Sequence, residues 1–197
     1  MFHHKIIWRH TNMIKIVLAA ALLSLAPMAI AQTPATPQTN IPADVKLEKA
    51  TNPVIKISTE RGDMILELFP DSAPKHVESM LNLINKGFYN GLTFHRVVPG
   101  FVIQGGCPLG TGTGGPGYNI KAEFNSRKHL KGTLAMARAM DPDSAGSQFY
   151  ICLEAQPYLD GQYTVFGQLR SGHDVPEKVR KGDKMNITIL QGAPAAK

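Results

Sequence analysis

The sequence is poor in cysteine, tryptophan and charge, and each shortage excludes a class of protein. Only two of the 197 residues are cysteines, one is a tryptophan, and 18% are charged. Two cysteines cannot support a disulfide-rich scaffold, and 43% hydrophobic residues with so little charge exclude a disordered polyelectrolyte or a coiled coil. No apolar run reaches the roughly 20 residues of a membrane span. A single loop-rich globular domain remains, consistent with 18 glycines and 14 prolines.

The two cysteines leave one question open. Cys107 follows a Gly-Gly pair and Cys152 ends a predicted strand. A disulfide bond between them requires Cα atoms within about 7 Å, and the sequence does not decide this distance.

The positive charge does not indicate a nucleic-acid partner. The net charge is +6, but Lys5, Arg9 and Lys15 lie in a predicted leader, and without them 18 bases oppose 15 acids. The other bases are scattered, and no aromatic residues interleave a basic run. We therefore expect no binding to nucleic acid.

The N-terminal segment has the pattern of a secretory signal peptide. Lys15 precedes an apolar stretch over 16–25, and Ala29-Ile30-Ala31 places small residues where a signal peptidase cleaves. We predict a signal peptide over residues 1–31, with Met13 as a possible true start, and export to the periplasm of a bacterium. An uncleaved membrane anchor is the alternative, but Pro27 interrupts an already short stretch. No stable membrane insertion is expected after cleavage of the leader.

Composition divides the remaining chain into three parts. Residues 32–52 are rich in Pro, Thr and Ala with almost no large apolar residue, which predicts a flexible tether. The domain spans residues 53–192, and residues 193–197 form a short tail.

Hydrophobic periodicity predicts a mainly β domain. Eight short β-rich runs lie between Gly, Pro or Asp residues, at 54–59, 64–69, 92–98, 101–104, 133–138, 147–153, 164–169 and 185–190. Val77, Met80, Leu81 and Ile84 recur at helical spacing, which predicts an amphipathic helix that is capped by Asp71 or Ser72 and stopped by Gly87. A weaker helical patch covers 176–180. Because no βαβ alternation occurs, we expect a closed eight-stranded antiparallel barrel capped by two helices.

Three kinds of site fit the sequence poorly. Residues 110–115 satisfy GxGxxG, but no helix pattern follows them, so a dinucleotide site is disfavoured. Ser144, Ser147, His95 and Asp160 could form a hydrolase triad on paper, but no GxSxG elbow accompanies them. The histidines after the leader lack metal-ligand spacing, so we expect neither a metal nor a cofactor.

One stretch, unlike these three candidate sites, carries a specific sequence signature. Residues 89–106 read YNGLTFHRVVPGFVIQGG, and further blocks follow in order: GTGG at 112–115, LAMARA at 134–139, GSQFYIC at 146–152, LDG at 159–161 and VFG at 165–167. Together they closely resemble the cyclophilin family of peptidyl-prolyl isomerases over about residues 53–191. The resemblance implies the barrel fold and a shallow apolar groove that takes an X–Pro peptide.

The resemblance also implies the roles of individual residues. Arg96 matches the catalytic arginine, Phe101 a wall of the proline pocket, and Gln104 a polar contact to the substrate backbone. The other substrate-binding residues that it implies are Val102, Gly112, Ala137, Arg138, Ala139, Gln148, Tyr150, Tyr158, Leu159 and Tyr163. Five of these thirteen depart from the best-known members: Val102 replaces Met, Arg138 replaces Asn, Tyr150 replaces Phe, Tyr158 replaces Trp and Tyr163 replaces His.

The sequence therefore predicts an exported peptidyl-prolyl isomerase that assists the folding of exported proteins. Its expected partners are proline-containing polypeptides, and we expect a monomer. A proline-peptide binding module or chaperone with little turnover is the alternative. The replacement of Trp by Tyr158 puts tight binding of cyclosporin in doubt. The positive charge of Arg138 is expected to change which residues the groove accepts beside the proline.

Overall fold

The structure is a computed structural model that describes residues 41–192. The predicted signal peptide, the first part of the predicted tether and the predicted tail lie outside the described residues.

Short runs of β-branched and aromatic residues form strands close to the positions that the sequence predicts. The strands are β1 (Val54–Thr59), β2 (Gly62–Leu68), β3 (Arg96–Val98), β4 (Val102–Gly105), β5 (Thr133–Met136), β6 (Phe149–Cys152), β7 (Val165–Ser171) and β8 (Asn186–Gln191). The helices are α1 (Pro74–Asn85) and α2 (Val175–Lys178), with 3₁₀ turns at Pro142–Ser144 and Pro157–Leu159. Within the described residues, neither α-helix is long and apolar enough to cross a membrane.

The eight strands form one antiparallel sheet in the order β3-β4-β6-β5-β7-β2-β1-β8. The edge strands β3 and β8 do not pair with each other. An isolated bridge between Thr93 and Lys184 joins the segments that precede them, and the Phe94 N–H donates to the Asp183 carbonyl at 3.0 Å. Three further backbone hydrogen bonds join these two segments, but within the described residues no ladder forms between β3 and β8 themselves. The mainly β, eight-stranded fold is confirmed, but the prediction of a closed barrel is not.

The inner face of the sheet packs into one large apolar core. Its fully buried side chains include Phe94, Phe149 and Phe166, with Leu66 from β2 and Met80 from α1. The amphipathic stripe predicted for α1 lies in this core: Val77, Met80, Leu81 and Ile84 are all buried. The helix therefore covers the sheet as its periodicity requires.

The N-terminus of α1 is capped from far away in the sequence. The N-cap position is Ala73, not Asp71 or Ser72, and its side chain makes no capping hydrogen bond. The carboxylate of Glu123 accepts hydrogen bonds from the backbone N–H groups of Lys75 and His76, both at 3.0 Å. The predicted caps are therefore wrong, because an acidic side chain 47 to 48 residues away satisfies these groups.

The last residues of the predicted tether lie against the sheet. Glu67 on β2 is fully buried, and its carboxylate accepts hydrogen bonds from the backbone N–H groups of Glu48 and Lys49 and from the Asn52 side chain. Arg170 donates to the same carboxylate at 2.7 Å. Residues 48–52 are thus fixed by a buried, fully satisfied charge, which differs from the tether that composition predicts for them.

Candidate functional site

Alternate residues of the central strands give the sheet a second apolar face on its outside. In β4 and β6, Ile103 and Ile151 point into the inner core, whereas their strand neighbours point outward. The outward residues form what we call the outer cluster, which comprises Val102, Ala135, Tyr150, Cys152, Leu159 and Val165. Phe101, Ala137 and Tyr163 pack against it while remaining partly exposed. The outer cluster is itself buried, so it forms an apolar floor bordered by these three partly exposed side chains, an arrangement typical of a ligand pocket.

Strand register brings the polar candidates onto this face. Arg96 on β3 lies opposite Gln104 on β4, Gln104 lies opposite Tyr150 on β6, and Tyr150 lies opposite Ala135 on β5. Directly paired residues point to the same side of a sheet. The register alone therefore sets a cation, an amide, an aromatic ring and a methyl group in one row across four strands.

A pocket of about 250 Å³ opens over the outer cluster. Its lining combines apolar walls with two arginines and an amide: Arg96, Phe101, Val102, Gln104, Ala137, Arg138, Tyr150, Leu159 and Tyr163. The guanidinium carbon of Arg96 lies 5.3 Å from the centre of the Phe101 ring. Arg96 is exposed and pairs with no carboxylate of the described residues, so its donors face the pocket and solvent.

Two glutamines link the pocket to the glycine-rich loop. The Gln104 side chain donates to the Gln148 carbonyl oxygen at 3.1 Å, and Gln148 donates to the backbone carbonyls of Gly112 and Gly114 at 2.9 and 2.8 Å. The backbone N–H groups of the same two glycines donate to the sulfur of Cys107 at 3.2 and 3.3 Å. A chain of hydrogen bonds thus fixes the orientation of Gln104.

A second and larger hollow, of about 820 Å³, adjoins the pocket. It is lined by the loop 112–119, by Ala137, Arg138 and Ala139, and by Ser144 with residues 146–148. Gln104, Ala137 and Arg138 belong to both hollows, so they form the boundary between them.

The structure brings the residues that the sequence predicts into one groove. Nine of the thirteen line the pocket, and Gly112, Ala139 and Gln148 line the larger hollow. Tyr158 lines neither hollow. It is 60% exposed, and its ring stacks on Phe101 at 6.1 Å between centroids, so it extends the rim of the pocket.

A buried group beneath the pocket was not predicted. The hydroxyl of Tyr150 lies 3.0 Å from Nε2 of His129, and Nδ1 of His129 lies 3.0 Å from Asp160. Burial lowers the pKa of His129, and the backbone N–H of His129 is the largest of the groups that hold the pKa of Asp160 at about 2. Neutral His129 can therefore donate to Asp160 and accept from Tyr150. The signal in the sequence was the hydroxyl at position 150, since a phenylalanine could not make this bond.

The alternative sites are not assembled. Ser147 donates to the Gly106 carbonyl and Ser144 to the Asp141 carbonyl, while Asp160 is held by His129. No helix follows the loop 110–115, so the N-terminus that a dinucleotide needs is missing there. Over residues 41–192 no group of three or more metal-ligating side chains converges.

Both cysteines are free and buried. Burial raises the pKa of the Cys152 thiol to about 12. Burial also opposes ionisation of Cys107, but backbone N–H groups, those of Gly114 and Gly112 foremost, together hold its pKa below the ordinary value. Because both thiols are free, the disulfide bond between Cys107 and Cys152, which the sequence left undecided, is not formed.

Comparison with known proteins places the chain in a family. Residues 54–193 match the family described as "Cyclophilin type peptidyl-prolyl cis-trans isomerase/CLD". The chain is 51% identical over 140 residues to a peptidyl-prolyl cis-trans isomerase of Synechococcus elongatus, covering 70% of this chain and 96% of that protein. It is 52% identical over 136 residues to peptidyl-prolyl cis-trans isomerase B of Bacillus subtilis, covering 68% and 94%.

Solved structures of cyclophilin-type isomerases are also similar to this chain. A cyclophilin-type isomerase of Cryptosporidium parvum superposes with a TM-score of 0.66 at 33% identity, covering 73% of this chain and 99% of the other. A second crystal structure of that protein, obtained in the presence of the dipeptide Ala-Pro, gives a TM-score of 0.64 at 34% identity and covers 69% and 98%.

Proposed function

This chain belongs to the cyclophilin-type peptidyl-prolyl cis-trans isomerases, and we propose that it catalyses rotation about X–Pro bonds in the groove around Arg96. The observation that carries the assignment of the site is the row of Arg96, Gln104 and Tyr150 that strand register sets over an apolar pocket. The Ala-Pro dipeptide of the Cryptosporidium structure supports a proline-containing ligand.

The reaction needs a twisted amide to be stabilised and no bond to be broken. Rotation about a peptide bond has a barrier of about 18 to 20 kcal/mol, because the C–N bond has partial double-bond character. X–Pro bonds therefore exchange over tens to hundreds of seconds without a catalyst. A site that binds the twisted amide better than either planar isomer by about 1.4 kcal/mol accelerates exchange tenfold.

Arg96 supplies the group that distinguishes the twisted amide. When resonance is lost, the proline nitrogen regains a lone pair and can accept a hydrogen bond. A guanidinium stays protonated and can donate to this nitrogen or to the neighbouring carbonyl. Arg96 has its donors free of carboxylates of the described chain and lies beside Phe101, which suits this role.

The remaining groove residues hold the substrate. The pyrrolidine ring fits the apolar walls of Phe101, Val102, Tyr150, Leu159 and Tyr163. Gln104, whose orientation is fixed through Gln148, can bind the substrate backbone. Fixing the chain on both sides of the bond while one bond rotates is the positioning that this reaction requires.

The test measures cis–trans exchange of an Ala-Pro peptide by NMR exchange spectroscopy, comparing the parent with Arg96→Ala. We expect the variant to lose about a hundredfold in kcat/KM, as when a donor to a transition state is removed, and to keep its unfolding midpoint. Lys86→Ala is the matched control, because it removes one exposed positive charge at the end of α1, away from the groove.

The outcomes separate the candidate functions. Equal turnover by the parent and Arg96→Ala would remove Arg96 from the mechanism. A folded parent that binds the peptide without accelerating exchange would support a proline-peptide binding module or chaperone.

We further propose that the chain is exported to the periplasm as a monomer and acts on folding envelope proteins. The support is the leader pattern at Lys15, the apolar stretch 16–25 and Ala29-Ile30-Ala31. Mass spectrometry of the protein from a bacterial envelope fraction tests export: a mature N-terminus at Gln32 supports it, and an intact leader supports membrane anchoring. Size-exclusion chromatography tests the oligomeric state.

A further inference from the structure

We propose that Arg138 selects substrates that carry a carboxylate side chain beside the X–Pro bond. The inference rests on the proposed function and adds to it a substrate class, proline peptides with a flanking Asp or Glu. It depends on how Arg138 is held, where it lies and what charge surrounds it.

The guanidinium of Arg138 is held in one orientation. Its Nε donates to the Gln162 carbonyl at 3.1 Å, and its Nη1 donates to the Ala139 and Met140 carbonyls at 2.9 and 3.1 Å. Its central carbon lies 4.7 Å from the centre of the Tyr163 ring. An arginine that is already fixed loses little entropy when it binds a further acceptor.

Part of this guanidinium has no partner. Three of its five N–H donors are used by the backbone carbonyls, and Nη2 makes no hydrogen bond within residues 41–192. The nearby acids are engaged elsewhere: Asp141 accepts from the Asp143 N–H, and Asp143 accepts from the Ala122 N–H. Neither forms an ion pair with Arg138.

The contrast with other fixed arginines is informative. Arg61 pairs with Asp183, Arg127 with Glu48 and Arg170 with Glu67, so each finds a carboxylate within this chain. Arg138 and Arg180 are instead held by backbone carbonyls and pair with no acid of the described chain, but only Arg138 lines the groove. A carboxylate of a bound ligand would supply the negative charge that the chain does not place beside Arg138.

The position of Arg138 lets a substrate supply the missing carboxylate. Arg138, Gln104 and Ala137 form the boundary between the pocket and the larger hollow. A peptide whose proline fills the pocket therefore places a neighbouring residue at this boundary. No Asp or Glu lines either hollow, whereas Arg138 lines both and Arg96 lines the pocket. The groove consequently favours an anionic side chain and disfavours a cationic one.

The test measures kcat/KM for peptides that are otherwise alanine around one proline, with Glu, Gln or Lys at each of the two positions on either side. At one position we expect the parent to prefer Glu over Gln by about three- to tenfold, expressed mainly in KM, and to accept Lys least. The preference should shrink from 0.05 M to 1 M NaCl, because the Debye length falls to about 3 Å.

Variants of Arg138 attribute the preference to this residue. Arg138→Gln should bring the Glu/Gln ratio to about one, Arg138→Lys should retain part of it, and Arg138→Glu should favour the Lys peptide. A purely structural role would lower turnover of all peptides alike and leave the ratios unchanged. Lys86→Ala, which removes a charge away from the groove, should keep the parental ratio.

The outcomes distinguish the inference from the function on which it rests. No turnover of the neutral peptide by the parent would overturn the proposed function. Turnover with equal rates for Glu and Gln at all four positions would overturn only the inference. If one substitution prevents folding, the peptide ratios of the other two Arg138 variants still decide it, because the parent alone does not separate Arg138 from Arg96.

Discussion

The inner and outer faces of the sheet are built from alternate residues of the same strands, yet they are covered differently. Inward residues such as Phe149 and Ile151 are fully buried in the large inner core, where the rings of Tyr89 and Phe94 contact Phe149. Outward residues such as Tyr150 and Val102 are also buried, but in a smaller cluster that is bordered by partly exposed side chains. One strand therefore contributes at successive positions to stability and to binding. The comparison predicts that substitutions one residue apart affect different properties.

The strongest test of this division compares two phenylalanines. Phe166 is fully buried on the inner face, whereas Phe101 is partly exposed at the pocket. Phe166→Ala should lower the free energy of unfolding by about 3 to 5 kcal/mol, because it leaves a cavity in the core. Phe101→Ala should cost far less stability but about tenfold in kcat/KM, because the proline ring loses a wall. Urea unfolding and peptide exchange measure the two effects.

The division fails if the two variants behave alike. Equal losses of stability would mean that Phe101 belongs to the structural core. Tyr158→Ala serves as a control for the rim, since its ring is mostly exposed and contacts Phe101 without lining the pocket.

The sequence predicted the inner face better than the outer one. Period-2 patterns and the stripe of Val77, Met80, Leu81 and Ile84 depend on neighbours along the chain, and the structure has the corresponding strands and helix. The groove residues were identified through family resemblance, because residues 96 to 163 meet only through strand register. Periodicity alone could not specify that register.

What the sequence could not predict consists of long-range polar contacts. The Glu123 carboxylate caps α1 from 47 to 48 residues away, and Glu67 holds Glu48 and Lys49. Each contact satisfies a buried or terminal polar group, but the choice of partner depends on the complete fold. The sequence also could not predict that β3 and β8 remain unpaired. Whether two edge strands pair depends on how far apart the complete fold places them.

Tyr150 joins the two regions, since its ring lines the pocket while its hydroxyl bonds the buried His129. Tyr150→Phe should therefore retain most peptide turnover and lower the free energy of unfolding by about 1 kcal/mol, because Nε2 of His129 is left without a donor. Chemical denaturation at pH 7.5 measures the loss. An unchanged stability would show that the hydroxyl contact contributes nothing.

The same histidine predicts a pH dependence with a definite sign. Burial is the largest cause that lowers the pKa of both His129 and His76, so the unfolded state binds more protons below about pH 6.5. Stability should therefore fall as the pH decreases from about 6.5 towards the folded pKa values. A profile that stays flat or rises between pH 7.5 and 5.5 would contradict neutral buried imidazoles.

The smallest expected effect concerns the loop 107–114, which follows the end of β4. Sγ of Cys107 accepts hydrogen bonds from Gly112 and Gly114, whose carbonyls hold Gln148 and through it Gln104. Cys107→Ala removes the acceptor and should lower kcat/KM about two- to threefold with a stability loss below about 1 kcal/mol, because sulfur is a weak acceptor. Cys107→Asp offers a stronger acceptor to the same N–H groups and should restore turnover. If Cys107→Ala and Cys107→Asp are equally impaired, the thiol fills space and does not order the loop.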